Sequence, residues 1–326
     1  MRRIDIVVAI AIFIVAGLTN ADCSDESSSQ FTAILKGEGD FERAPHNRGN
    51  IYAPDVIWNG AIFRMWYGGQ GEDGHDRISC AESADGQNWV RKGVVLKDGL
   101  ANHVNDPSVV AVNWTYLMYH TRTEKDVIDW IDLAVSRDGQ KWELKGCAIA
   151  AGPDGTWDSL SVGRPSVIFH DGQFKMWYDG RKDFPRGAPV KGIPTSSTSC
   201  RSVGYATSED GFRWVRHHEN PVFGHDAGAI DVKRLQDQFI MLYESRDGTR
   251  YAISTDDLKW SDQGIFVEKS GSSIDQFGHV TPLLFIDHEK KLYQLFVEAA
   301  GATTWNHNSI AVLKIDNDQL WRILSR

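Results

Sequence analysis

The 326-residue sequence predicts an all-β protein, a five-bladed β-propeller of four-stranded antiparallel blades, and three observations carry the prediction. The first is a turn, Ser-x-Asp-Gly-x-x-Trp, in AESADGQNW (Ala81–Trp89), AVSRDGQKW (Ala134–Trp142) and ATSEDGFRW (Ala206–Trp214), with a degenerate copy AISTDDLKW (Ala252–Trp260). A strand ending at Ser, a tight Asp-Gly turn and a Trp that starts the returning strand make a hairpin. The second is an aromatic-alternating run upstream of each turn: FRMWYGG from Phe63, YLMYHTR from Tyr116, FKMWYDGR from Phe174, FIMLYESR from Phe239, and a fifth, LYQLFVEAA, from Leu292. The third is a short apolar entry run before those: APDVIW from Ala53, NDPSVV from Asn105, GRPSVIF from Gly163, AIDVKRL from Ala229 and HVTPLLF from His279. Recurrence at about 45–70 residues is the range of propellers and arrays. Five such units fit between about Asn50 and Ile315, and radial packing protects the edges of such sheets.

Composition agrees. Hydrophobic residues make up 41% of the chain, enough for a sizeable core, and 12 Trp and 30 Gly with 10 Pro fit many short strands joined by tight turns. The formal charge of −9 comes with no basic stripe, which argues against nucleic acid as a partner.

The N-terminus reads as an export signal over residues 1–21. Arg2 and Arg3 precede an apolar run, Ile6–Leu18, broken only by Gly17, and Thr19-Asn20-Ala21 supplies small residues for cleavage. The run is short for a bilayer span, which takes about 20 residues. Loss of residues 1–21 removes two Arg and one Asp, moving the charge from −9 to −10. Residues 22–30 read as a polar linker and 31–326 as the propeller domain, in a secreted or periplasmic protein with no stable membrane association after cleavage. Cys23, Cys80, Cys147 and Cys200 form no CxxC or Cys/His cluster, so no structural zinc and no cofactor are expected. Three disulfide connectivities stay open; Cys80, in a strand-like stretch, reads equally well as a buried thiol. The long segment from Asp183 to Cys200, rich in Pro, Ser and Gly, reads as a strandless loop at a functional rim.

With these motifs in place, the chain resembles the five-bladed propeller clan of glycoside hydrolase families 43, 32, 62 and 68. The resemblance runs from about residue 37 to 315, on NDPSVV at Asn105, WDSLSVGRPSVIF at Trp157, the MWY strands at Met65 and Met176, and the Ser-x-Asp-Gly-x-x-Trp turns. It implies a carbohydrate substrate and acidic residues at the channel-facing starts of inner strands. Asp55, Asp106 and Asp231 stand at entry runs, Arg164 takes that place in the third unit and His279 lies near it in the fifth. The family's third-blade Asp and its Glu-x-Pro acid motif have no counterpart, so the acid set is rearranged.

A second polar column follows the aromatic runs: Gly68, His120, Asp179, Glu244 and Glu298, and two positions on, Gln70, Arg122, Arg181, Arg246 and Ala300. A glycosidase needs two carboxyl groups across the scissile bond, one with a raised pKa. The reading assigns Asp55 and Asp106 as base or nucleophile, Glu244 as acid and Asp231 as orienting carboxylate, with Arg164, Asp179, Arg181, Arg246 and His279 binding substrate. Asp85, Asp138 and Asp210 are structural turn residues, Trp66 and Trp177 packing residues, and Trp157 and Trp305 sugar-platform candidates. Three functions compete: a hydrolase acting on a furanoside- or pentoside-type glycan, a catalytically silent carbohydrate-binding propeller, and a six-bladed sialidase-like enzyme suggested by Arg122, Arg181 and Arg246.

Overall fold

The computed structural model describes residues 31–44, 49–97, 99, 101, 103–124, 128–187, 192–287, 292–300 and 308–324; the side chains of residues 292, 293, 298 and 300 are outside this description. The proposed export signal and linker, with Cys23, lie outside the described residues, as do Trp305 and the Glu298 side chain.

The described residues are all-β apart from one C-terminal helix. Strand β1 (Thr32–Lys36) comes first. Unit one is β2 (Ile51–Trp58), β3 (Phe63–Gln70), β4 (Asp76–Ser83) and β5 (Val90–Leu96), and unit two is β6 (His103–Val112), β7 (Thr115–Glu124), β8 (Ile128–Ser136) and β9 (Glu143–Ile149). Unit three begins with β10 (Ser161–His170) and β11 (Gln173–Arg181). The long loop then carries a small parallel pair, β12 (Phe184–Pro185) with β13 (Thr195–Ser196), where the sequence led us to expect no strand. Unit three ends with β14 (Ser202–Ser208) and β15 (Val215–Arg216). Unit four is β16 (Asp231–Leu235), β17 (Gln238–Tyr243), β18 (Gly248–Ser254) and β19 (Ser261–Glu268). Unit five is β20 (Gly278–Asp287), β21 (Leu292–Ala300) and β22 (Asn308–Ile315), completed on its outer edge by β1. Helix α1 (Asn317–Leu324) follows, opened by a capping box in which Asp316 Oδ1 accepts from the Gln319 amide and Gln319 Oε1 from the Asp316 amide.

Within each unit the strands pair antiparallel in chain order, and a single parallel bridge, Asp76 with His103, links units one and two. No hydrogen-bonded ladder runs round all the units. They pack face to face instead, through five separate apolar clusters. One lies between units one and two (Trp66, Ile78, Val104, Met118), the next between two and three (Tyr119, Ile131, Val162, Met176) and the third between three and four (Trp177, Val203, Val232, Met241). The fourth lies between units four and five (Leu242, Phe266, Leu284, Leu295) and the fifth between five and one (Phe285, Phe296, Ile51, Met65). The innermost strands follow one another in the same cyclic order, β2, β6, β10, β16, β20 and back to β2.

The turn motif explains itself locally. Ser136 Oγ accepts from the Gly139 amide at 2.8 Å, and Asp138 Oδ1 accepts from the Gln140 and Lys141 amides. Ser83/Asp85 and Ser208/Asp210 repeat this; in the degenerate fourth turn Asp256 Oδ1 accepts from the Leu258 and Lys259 amides while Ser254 Oγ accepts from the Asp256 amide. Gly139 sits at φ 72°, which a side chain resists. The turn also ties neighbouring units: the Gly139 carbonyl accepts from Trp66 Nε1 at 2.8 Å, that of Gly211 from the Tyr119 hydroxyl at 2.7 Å, and that of Asp257 from Trp177 Nε1 at 3.1 Å. Trp66 and Trp177 are fully buried. They are inter-unit packing residues, as the sequence suggested. Cys80 is a buried thiol and Cys147 and Cys200 are exposed, with no disulfide among the described residues.

Candidate active site at the strand starts

Antiparallel pairing puts the start of each inner strand, the end of the second and the start of the third at one end of the molecule; the Asp-Gly turns lie at the other. At the start of the inner strands one backbone event recurs five times. Ala53, Asp106, Arg164, Ala229 and Thr281 all adopt positive φ, between 42° and 50°. In four of the units the register with the second strand shifts at this point. Left-handed backbone at a non-glycine residue costs about 1–3 kcal/mol, so five copies are held by their surroundings. The five bulges converge on one cavity of about 40 Å³, lined by residues 53–55, 106–108, 164–166, 229–231 and 281–283. That volume admits a water or two, whereas ligand pockets run to several hundred Å³. The cavity is therefore too small to enclose a ligand larger than water, and any such ligand would have to bind above it.

The bulge corrects the sequence alignment. The residues equivalent to Asp106 and Arg164 are Ala53, Ala229 and Thr281, not Asp55, Asp231 and His279. Asp55 and Asp231 stand two positions deeper, beside Ser108, Ser166 and Leu283. There they tie units together: the Val109 amide donates to Asp55 Oδ2, Val167 to Ser108 Oγ, Val232 to Ser166 Oγ and Leu284 to Asp231 Oδ2. Leu283 breaks the series. Lys233 Nζ lies 2.6 Å from Asp231 Oδ1. Burial pushes the Asp55 carboxyl up to about 6, partly offset by Lys233. The second polar column is also displaced by one residue in unit two. Thr121, not His120, pairs with Asn105 as Asp179 pairs with Gly163. Thr121 Oγ1 accepts from the Arg164 amide at 2.8 Å, just as Asp179 Oδ2 accepts from the Ala229 amide at 2.9 Å.

The mouth holds one connected set of charges. Arg164 grips Asp179 with two hydrogen bonds, of 2.6 and 2.7 Å. Burial opposes the Asp179 charge, but Arg164 outweighs it and keeps this carboxyl below its usual range. Asp106 is the one acid among the five bulge apices. Its dense surroundings push its carboxyl up to about 7, with Arg164 and Thr121 opposing and Asp179 and Asp129 adding to the rise. Asp129, bonded to the Thr123 hydroxyl at 2.8 Å, is raised by burial in the same way. The Tyr52 hydroxyl is buried near Asp76 and Asp106. Asp76 Oδ2 in turn lies 2.6 Å from His103 Nδ1. Glu244, just past the end of β17, pairs with Arg201, whose guanidinium lies where a side chain on Gly228 would stand. No group of three or more His, Cys, Asp or Glu among the described residues could hold a metal.

The expected site residues thus fall into three places. Asp106, Arg164, Asp179, Arg181 and Glu244 gather at the mouth, and Asp55 and Asp231 lie below it. His279 does not reach the mouth: it has no exposed surface, with Nε2 2.9 Å from Asp275 and Nδ1 3.0 Å from Thr249. It anchors the loop before β20 rather than touching a ligand. Arg246 is exposed, its guanidinium 5.3 Å from the centre of the Phe277 ring, within the reach of about 6 Å for such stacks. Arg122 stacks on Trp130 and bonds to Glu124. Trp157, a platform candidate, instead stacks on Tyr178 and lies against Gly180 and Gly204 in the cluster between units two and three. Sequence reasoning missed Tyr52, Asp76, Thr121, Asp129 and Arg201; Arg201, at the start of a third strand, belongs to no repeated motif.

No family model matches the chain. Two uncharacterized proteins from two strains of Mycobacterium tuberculosis are 33% identical over 138 residues, 39% of this chain, and the match spans 45% of their length. Among solved structures the fold recurs in a glycoside hydrolase (19% identical, TM-score 0.67, covering 86% of this chain and 92% of that one). It recurs in a family 117 glycoside hydrolase of the marine bacterium Zobellia galactanivorans (14%, 0.64, 87% and 88%) and in a thermostable family-43 glycoside hydrolase (14%, 0.60, 81% and 88%). The fold is therefore that of the propeller glycoside hydrolases, the architecture the sequence resemblance implied.

Proposed function

We propose that the five units are the blades of a five-bladed β-propeller closed by β1, and that the protein is an exported glycoside hydrolase-like enzyme. It takes an oligo- or polysaccharide of furanoside or pentoside type over the mouth. One observation carries the reading: the only acid at a bulge apex, Asp106, faces the central cavity and holds its proton to about pH 7. A carboxyl poised there donates a proton to a departing glycosidic oxygen near neutral pH, so Asp106 takes the acid role that the sequence reading gave to Glu244. Glu244, beside Arg201, supplies the second carboxylate, on the opposite side of the Arg164–Asp179 pair. Arg164 holds Asp179 ionised and limits how far the pKa of Asp106 climbs, so it positions the acid rather than reacting.

A silent carbohydrate-binding propeller is the second reading, favoured by the engagement of Asp179 and Glu244 with arginines. Reducing-sugar release by the purified protein across a polysaccharide panel separates the two. Hydrolysis that falls at least tenfold in Glu244→Gln supports the enzyme. Binding to a glycan with no release from any member of the panel establishes the binder.

A further inference from the structure

Arg181 is the last residue of β11, directly across the sheet from Arg201, by extension of the Gly180–Ser202 pair. Cross-strand neighbours share a face, and like charges opposite one another destabilise a sheet. Asp179, two residues back on the same face, is already taken by Arg164. Glu244 and Asp226 are taken by Arg201. Among the described residues Arg181 has no ion pair and no side-chain hydrogen bond; its guanidinium lies over the Phe184 ring, 5.0 Å away, at the root of the long loop. Burial, and after it the charges of Arg164 and Arg201, hold Arg181 below the ordinary arginine value. The Nε of Arg201 is also buried without an acceptor, its nearest carboxylate oxygen, on Asp226, being 3.8 Å away. Three guanidiniums thus meet at the mouth with two carboxylates among them, Asp179 on Arg164 and Glu244 on Arg201, which leaves the Arg181 guanidinium and the Arg201 Nε without a protein acceptor among the described residues.

The geometry points to an oxyanion subsite formed by Arg181 with the Nε edge of Arg201, which receives the carboxylate of a uronic-acid unit in the glycan. Planar guanidinium forks match a carboxylate with two parallel bonds, and a charged pair shielded by protein is stronger than a neutral one. The assignment rests on the mouth being the glycan site, and it names the substrate class as acidic glycans. It also gives the excess positive charge a purpose: bound carboxylate relieves the repulsion between Arg181 and Arg201.

The test is a binding measurement, independent of turnover. Calorimetry with an oligogalacturonide and a glucuronoxylan oligosaccharide is compared with the same oligosaccharides after reduction of their carboxyl groups to alcohols. At least one acidic form is expected to bind tenfold or more tightly than its reduced form. Arg181→Gln abolishes that preference, Arg181→Lys keeps part of it, and added NaCl erodes it. Because Arg181 has no acidic partner to lose, Arg181→Gln melts no lower than the wild type, which separates recognition from folding. Equal or absent binding of every acidic and reduced pair overturns the subsite, as does a preference that survives Arg181→Gln. Arg181-dependent binding of inorganic phosphate without a preference for acidic sugars also overturns it, in favour of a free anion. Hydrolysis of neutral glycans alone sinks this subsite and leaves the enzyme reading standing. An Arg181-dependent acidic preference without hydrolysis does the reverse.

Discussion

At the two ends of the molecule aspartate is placed in opposite surroundings. In the turns, Asp85, Asp138, Asp210 and Asp256 are exposed side chains whose oxygens accept from the next backbone amides, and these bonds hold all four carboxyls low. At the mouth, Asp106 and Asp129 lie among protein with few donors, and burial lifts both. The turns are alike from unit to unit. The bulge apices share one backbone shape but carry Ala, Asp, Arg, Ala and Thr. Repetition of both shape and residue marks scaffold. Repetition of shape with divergence of residue marks the place where one fold is fitted to one ligand.

The largest effect that tests this contrast is on rate. Asp106→Asn removes the proton donor and is expected to cut glycosidase turnover by two orders of magnitude or more, about 3 kcal/mol of barrier, with a melting temperature at neutral pH no lower than that of the wild type. Steady-state kinetics beside a thermal melt checks both halves. A turn variant should show the reverse split. Ser136→Ala strips the acceptor from the Gly139 amide at a buried position and is expected to cost about 1–2 kcal/mol of stability, seen as a lower melting temperature, with kcat unchanged in the folded fraction. A Ser136→Ala protein that melts like the wild type removes the turn from the scaffold.

The smallest effect is a difference in sign with pH. The pKa of Asp106 is raised on folding, so its contribution to stability is complete below the unfolded value near 4 and is lost as pH rises through about 7. The turn carboxyls are lowered, so theirs is present above about 4 and is lost as pH falls through their folded values. Denaturant unfolding of wild type and Asp106→Asn between pH 4 and 8 should therefore show the variant gaining on the wild type as pH rises. A constant difference would mean that Asp106 is not held protonated by the fold.

The same contrast explains what the sequence revealed. The turns were legible because Ser, Asp, Gly and Trp act within seven residues, and the strands because apolar and aromatic alternation is local. The mouth was only partly so. Each bulge slips the register by one residue, and nothing in Ala53-Pro54-Asp55 beside Ala229-Ile230-Asp231 announces that the Asp is the third residue rather than the first. That slip moved Asp55 and Asp231 to the mouth on paper; His120 stood where Thr121 belongs because the run in β7 has Met-Tyr where β3 and β11 have Met-Trp-Tyr. Strand β1 reads as a lone apolar run because its partner β22 lies at the far end of the chain. The cap of α1, Asp-x-x-Gln from Asp316, follows no repeat, and the helix it opens went unread in the sequence.

The central claim is that the mouth keeps one aspartate protonated near neutral pH. Infrared difference spectroscopy of the carboxyl stretch, wild type minus Asp106→Asn, titrated from pH 4 to pH 9, reads that proton directly. The account predicts, in the difference between the two proteins, a protonated carboxyl band that is lost with a midpoint near 7, the bands of Asp55 and Asp129 being common to both. A midpoint near 4, the value of an ordinary aspartate, would contradict it.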